Sequence, residues 1–207
     1  MDHIDDLARA LARFPGIGPR QGKRFVYHLL SAPASERAEL AELITALGTE
    51  VHQCPECLRF YTDKSKTVCR YCSDPSRDDS VLMLVEKDQD LTAVERAGTY
   101  RGRYFVLGGV LTLSGKGAIR EKELLRTIER RLSSSPEQGL PLLKEIVLAL
   151  SATSEGEHTA DRVRGLLTSY RERVKLSALG RGLATGSELE YSDAETLRAA
   201  LSNRKEA

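Results

Sequence analysis

All four cysteines of this chain fall within nineteen residues, as Cys54-Pro55-Glu56-Cys57 and Cys69-Arg70-Tyr71-Cys72 with eleven residues between the pairs. The surrounding segment, residues 53–77, is polar and turn-rich, with too few apolar side chains to build a core of its own, so it needs a staple. A Cys-x-x-Cys turn aims two thiolates at one point. Two such turns supply the four soft ligands of a closed tetrahedral zinc site. With four protein ligands no position is left for a catalytic water, and a Zn²⁺ held there is structural. Redox thiols are the alternative, and His52 is a further candidate ligand. No apolar run approaches the ~18 residues of a membrane helix, and the acidic start Met1-Asp2-His3-Ile4-Asp5-Asp6 lacks the positive flank of a secretory signal. A cytoplasmic protein with no membrane partner is therefore expected, and in that reducing setting paired cysteines suggest metal before disulfide.

The flanking segments must carry the folding. The chain has 207 residues with 41% hydrophobic side chains, enough for one or two domains, and this excludes wholesale disorder. Its 31 Lys+Arg against 30 Asp+Glu exclude a uniformly basic coat, but not a local one. Residues 1–52 read as helical: Ile4, Leu7, Ala8 and Leu11 recur at helical spacing, as do Leu40, Leu43, Ile44 and Leu47. Between them Pro15-Gly16-Ile17-Gly18-Pro19 breaks the pattern. From Leu7 through Ser35 there is no acidic residue, while Arg9, Arg13, Arg20, Lys23 and Arg24 are basic. Gly16 and Gly18 in a tight turn before a helix let backbone N–H groups approach an anion. Arg20 and Arg24 lie one helical turn apart with Lys23 beside them, so all can reach one phosphate strand. The plainer alternative is a helix-turn-helix corner whose glycines merely permit the turn.

Beyond residue 80 short apolar runs alternate with helical segments. Val81–Val85, Tyr104–Leu107 and Ile146–Leu150 read as buried strands, with Val174–Leu179 a fourth. Leu124, Leu125, Ile128 and Leu132, then Ala160, Val163, Leu167 and Tyr170, suit amphipathic helices between them. This alternation predicts an α/β unit with a largely parallel sheet. A loop is expected at 133–136, and a last helix starting near Asp193 and Glu195. Glu86 follows the first strand, with Asp88 and Asp90 in the next turn, and Glu155-Gly156-Glu157 follows the third. Carboxylates outside the carboxyl ends of parallel strands can converge on Mg²⁺. They can equally cap the helices that follow.

Taken together these segments resemble the RecR family of bacterial recombination mediators over essentially the whole chain. Leu11 to Arg20 resembles that family's helix-hairpin-helix, and the four cysteines resemble its zinc finger. Leu84-Val85-Glu86, Ala93-Val94-Glu95-Arg96, Val106-Leu107-Gly108-Gly109 and Glu155-Gly156-Glu157 are similar to its Toprim domain. Arg181-Gly182-Leu183 with Gly186-Ser187-Glu188-Leu189-Glu190-Tyr191 is similar to its carboxyl-terminal signature. The resemblance implies a helix-hairpin-helix over 1–52, a four-cysteine zinc finger over 53–77, a Toprim-like parallel α/β domain over 78–175 and a short helical segment over 176–207 for oligomer contacts. It also implies a non-enzymatic, ring-shaped homotetramer at the nucleoid, binding double-stranded and gapped DNA and working with RecO and RecF to load a recombinase. Glu155 and Glu157 would then face a basic surface of RecO. Catalytic Toprim domains carry an Asp-x-Asp where this chain has Ser151 and Thr153, and the loop 112–118 lacks the family's usual acidic Asp-Gly. A Mg²⁺-dependent Toprim enzyme using Glu86 is the second reading, and a zinc-stapled module binding only proteins the third.

Overall fold

Asp2 opens the first helix by accepting a hydrogen bond from the Ile4 N–H at 3.0 Å, and α1 runs His3–Leu11. The cap satisfies one of the N–H groups that a helix start leaves unpaired. The chain then turns through Gly16, whose φ of +77° suits a residue without a Cβ. Gly18 precedes α2 (Pro19–Ser31), and Pro19 fits the first turn, where its missing N–H costs nothing. At Gly22 the helices nearly touch: a Cβ there would lie 2.5 Å from the Ala8 carbonyl oxygen of α1. Ala8 and Val26 are buried at this crossing. α3 (Ala34–Glu50) carries the expected apolar positions, yet no residue of it is buried. This computed structural model describes residues 2–115, 117–133, 143–183 and 185–204. The chain divides into two compact units, Met1–His52 and Gln53–Ala207.

After α3 comes a two-stranded sheet of β1 (His52–Gln53) and β2 (Phe60–Tyr61), followed by a four-stranded parallel sheet in the order β4-β3-β5-β6. Its strands are β3 (Asp78–Val85), β4 (Gly102–Val106), β5 (Glu145–Ala149) and β6 (Lys175–Ala178), connected through α4 (Asp88–Ala97), α5 (Glu121–Ser133) and α6 (Ser154–Leu166). Register is fixed by pairs such as Leu84 with Phe105 and with Leu148. Because side chains alternate along a strand, Leu82 and Leu84 face one cluster with Phe105, Ile128, Ile146 and Val163, while Met83 and Val85 face another. That second cluster contains Cys54, Cys57, Cys69 and Tyr71, so the cysteine knuckle covers one face of the sheet. It also occupies the β4 edge, where the Val106 N–H donates to the Cys57 carbonyl at 2.8 Å.

The predicted α/β fold with a helical start is the one observed. β3 starts at Asp78, three residues before the apolar run, and β5 ends at Ala149 rather than Leu150. Tyr170 leaves the α6 pattern, because the chain tightens into a 3-10 turn at Thr168–Tyr170. Beyond a second such turn at Leu189–Tyr191, α7 (Ala194–Ser202) begins at Asp193, whose carboxylate accepts from the Glu195 and Thr196 N–H groups at 2.9 Å each. The loop expected at 133–136 lies outside the described residues beyond Ser133, as does Lys116 of the 112–118 loop.

Candidate nucleic-acid interface and metal centre

The knuckle folds so that the sulfurs of Cys54, Cys57, Cys69 and Cys72 all lie within 4.8 Å of one another. Three of the four are fully buried, and Cys72 is partly so. Backbone turns aim them: the Leu58 N–H donates to the Cys54 carbonyl at 2.9 Å, and the Cys72 N–H to the Cys69 carbonyl at 3.0 Å. The Cys69 N–H also donates to the Cys54 sulfur at 3.4 Å, a bond that favours thiolate. Hydrogen bonds from neighbouring thiols, that of Cys57 foremost, hold Cys54 far below the ordinary thiol range, while the same sharing pushes Cys57 and Cys72 up. Four convergent soft donors in a dry pocket fit a metal ion; two separated redox pairs would not need this convergence. His52 is not part of the set. Four thiolates around a divalent ion leave net negative charge, and arginines surround this site. Arg59, Arg70 and Arg77 pack on the Tyr71 ring at 4.7, 4.7 and 4.9 Å, and Arg130 forks onto Glu56 with two contacts of 2.5 Å. That fork holds the Glu56 carboxyl below its usual range.

Sequence reasoning missed the residue that ties knuckle to sheet. Arg103 of β4 is buried, and its Nη1 donates to the carbonyls of Tyr71 (2.8 Å) and Cys72 (3.1 Å) while Nε and Nη2 bind Asp79 at 2.6 and 3.3 Å. The available signal was an arginine inside an otherwise apolar strand, since arginine is almost never buried unpaired.

In the helical unit Arg20, Lys23 and Arg24 are all exposed on α2, as the spacing predicts. Their charges are not equally free. Lys23 pairs with Asp5 at 3.0 Å, which lowers the Asp5 carboxyl and raises the Lys23 ammonium. Arg9 pairs with Asp6. Both acids stand just ahead of the acid-free window, so a scan of neighbouring residues passes over them. Among the described residues no carboxylate pairs with Arg20 or Arg24; Arg24 reaches only the Gln21 side chain at 3.5 Å. Gly16 and Gly18 face open space, and no side chain caps α2.

The acidic residues do not converge. Glu86 is 7% exposed and accepts the Ser151 N–H at 2.6 Å. Asp88 accepts the Phe60 N–H at 2.9 Å, Asp90 accepts the Lys87 N–H at 2.9 Å at the start of α4, and Glu157 pairs with Arg181. Glu155 stands in the first turn of α6, whose cap is Thr153. Among the described residues the four cysteines form the only group of three or more candidate metal ligands, and of the two roles open to the carboxylates, the contacts made by Glu86, Asp88, Asp90 and Glu157 are capping and pairing ones. Glu86, Asp88, Asp90 and Glu157 each have a partner within the protein. Gly156 is required between the two glutamates: a Cβ there would lie 2.0 Å from the Ser151 carbonyl oxygen.

A parallel sheet with glutamate at the end of its leading strand and Glu-Gly-Glu at the start of a later helix defines a Toprim domain, and the Toprim family model matches residues 80–179. Models described as "RecR, helix-hairpin-helix" and "RecR, C-terminal" match residues 4–47 and 182–205. Recombination protein RecR of Moorella thermoacetica is 40% identical over 206 residues, covering 98% of this chain and 96% of the relative. The protein of that name from Bdellovibrio bacteriovorus is 36% identical over 210 residues, covering 98% and 97%. The chain belongs to the RecR family, and a mediator role in DNA recombination and repair goes with that membership.

Proposed function

We propose that this chain is a non-enzymatic, DNA-binding recombination mediator that contacts duplex and gapped DNA through its helical hairpin. The observation that carries the reading is the pair Arg20 and Arg24, exposed, one turn apart and without a carboxylate partner among the described residues, beside an uncapped helix start. Lys23, tied to Asp5, adds less. Contacts of this kind read phosphate and not sequence, so binding is nonspecific and salt-dependent. The metal proposed for the four-cysteine set is Zn²⁺, whose work would be to fold the knuckle; metal analysis of freshly purified, reduced protein should find one ion per chain. The domain limits proposed are 1–52 for the hairpin region, 53–77 for the knuckle, 78–175 for the Toprim domain and 176–207 for the tail; the division between His52 and Gln53 supports the first of them.

Assembly as a homotetrameric ring is supported by α3, where Leu43, Ile44 and Leu47 are 60, 62 and 63% exposed on one face. Two free arginines bind weakly alone, and a closed ring multiplies them. RecO and RecF are the expected loaders. Glu155 is the better of the two glutamates for a basic loader surface, because Glu157 is already engaged by Arg181. An enzymatic Toprim reading needs several carboxylates on a cation. Here Glu86 is spent on the Ser151 N–H, and the hydroxyls of Ser151 and Thr153 contact each other at 3.0 Å. Mg²⁺ is left a weak site of one carboxylate and water. No described helix is long and apolar enough to cross a membrane, and cytoplasmic work at the nucleoid fits the proposal.

The test is Arg20→Ala with Arg24→Ala in the full chain. Duplex affinity should fall equally on unrelated sequences, and the slope of log K against log salt should flatten by about 1.8, at ~0.9 per lost phosphate contact. An unchanged slope would return the hairpin to a structural corner.

A further inference from the structure

Where the knuckle meets the carboxyl ends of β3 and β4, a pocket of about 350 Å³ opens, lined among others by Arg59, Phe60, Lys87, Asp88 and Arg120. None of these residues belongs to the hairpin, the cysteine set or the Glu86 contact. Three are cationic. Arg120 spends Nη1 on the carbonyls of Leu58 and Val106, at 2.8 and 2.9 Å, which fixes its guanidinium in the wall. Gly108 makes room for it: φ is +89°, and a Cβ there would lie 2.9 Å from the Arg120 Nε. The Arg59 Nε is buried without a hydrogen-bond partner, 3.7 Å from Asp88, an arrangement an incoming acceptor would improve. Asp88 is held by the Phe60 N–H and offsets one of the three positive charges, leaving the pocket net cationic. Phe60 is half exposed at 52%, although it lies in a strand whose neighbours are partly covered.

Cations fixed in a concave wall beside an exposed aromatic ring are the elements of a single-strand binding platform: the ring stacks a base and the cations hold its phosphate. The geometry points to this pocket as a site for one unpaired nucleotide of single-stranded DNA, its base on Phe60 and its phosphate among Lys87, Arg59 and Arg120. A base inside a duplex is stacked on both faces and cannot offer one to Phe60, so the site discriminates gapped or resected strands from intact duplex. The site goes beyond the hairpin reading and does not depend on it.

The chain contains no tryptophan, so Phe60→Trp places its sole indole in the pocket. This variant is titrated with oligo(dT), with a duplex of equal length, with inorganic phosphate and with an acidic peptide, in the full chain and again on the Arg20→Ala, Arg24→Ala background. Saturable quenching by oligo(dT), weak quenching by duplex and a loss of the response in Lys87→Glu are expected on both backgrounds. Phe60→Ala should lower affinity for oligo(dT) roughly 5- to 150-fold with duplex affinity unchanged, in line with one lost base stack. The hairpin can thus fail while this site stands, or the reverse. Unquenched indole emission under conditions where anisotropy reports bound oligo(dT), or quenching by peptide but not by oligo(dT), would overturn the proposal.

Discussion

Replacing Arg103 with alanine should loosen the metal knuckle without touching a cysteine. Its Nη1 supplies the two carbonyl contacts at Tyr71 and Cys72, the residues that close the second cysteine pair. Hydrogen bonds to a charged partner contribute about 1.5–3 kcal/mol each. Water entering the vacated space will satisfy part of that loss. The Asp79 half is worth less, because its carboxylate is 27% exposed and retains Arg131 at 3.7 Å. The net cost should be about 3–5 kcal/mol, the range for breaking one side of a buried charged network. Arg103→Lys keeps a positive charge near Asp79 but cannot fork across two carbonyls, so it should recover only about 1 kcal/mol. Chemical denaturation measures the first quantity. Capture of the bound metal, Zn²⁺ as proposed, by a chromogenic chelator measures where the loss falls, and release from Arg103→Ala should be faster than from the parent even under fully native conditions. A cost below about 1 kcal/mol, or metal leaving at the parental rate, would refute the view that Arg103 latches the knuckle to the sheet.

Three further outcomes are expected. Burial acts to raise the Glu95 carboxyl, but hydrogen bonds from Arg77 (2.6 Å) and Tyr104 (2.5 Å) outweigh it and hold the group below the ordinary glutamate value of 4.5. Its contribution is therefore complete above pH 4.5 and is lost as the pH falls through the depressed value, so Glu95→Gln should flatten the acid limb of the stability profile; an identical acid limb would count against the pair. Gly22→Ala should destabilise the helical unit by roughly 1–3 kcal/mol through the Ala8 clash, whereas Gly48→Ala on α3, whose Cβ meets nothing within 4 Å, should be neutral or stabilising by thermal unfolding. Supercoiled plasmid incubated with Mg²⁺ or Mn²⁺ should stay intact; nicking that follows the protein and vanishes in Glu86→Gln would favour the enzyme reading.

The features legible in sequence are those whose partners lie within a few residues. Each Cys-x-x-Cys turn fixes its own geometry, Asp193 caps the helix that begins beside it, and a run such as Val81–Val85 is apolar on both faces because both faces of a parallel sheet are covered. Partners distant along the chain were not legible. Asp5 reaches Lys23 only because α1 folds back on α2, and Asp88 is claimed by the Phe60 N–H, 28 residues earlier. The carboxylates could be placed at strand ends by pattern, but whether they turn toward one another depends on donors that pattern does not position. Arg103 and Arg77 were invisible for a related reason: their charge is compensated by carbonyls and carboxylates that only the folded sheet brings near.

A net charge of +1 over 207 residues bears on how such a chain engages DNA. Spread evenly, it would give almost no attraction to phosphate. The structure instead pairs some cations locally, Arg9 with Asp6, Arg77 with Glu95, Arg130 with Glu56 and Arg162 with Glu121, and on α2 leaves Arg20 and Arg24 without an opposing carboxylate among the described residues. Two phosphate contacts per copy, one each from Arg20 and Arg24, correspond to a salt slope of about −1.8, too shallow for firm binding near physiological salt. Repetition in a symmetric assembly raises the slope in proportion to the copies that touch DNA, with each copy still readily released. In the proposed ring, weak contacts multiplied by closure would let the protein stay on a duplex while moving along it. The measurable consequence is that the salt slope of the parent protein should scale with the number of subunits engaged, and a slope near that of one hairpin at saturating protein would mean that only one subunit contacts the duplex.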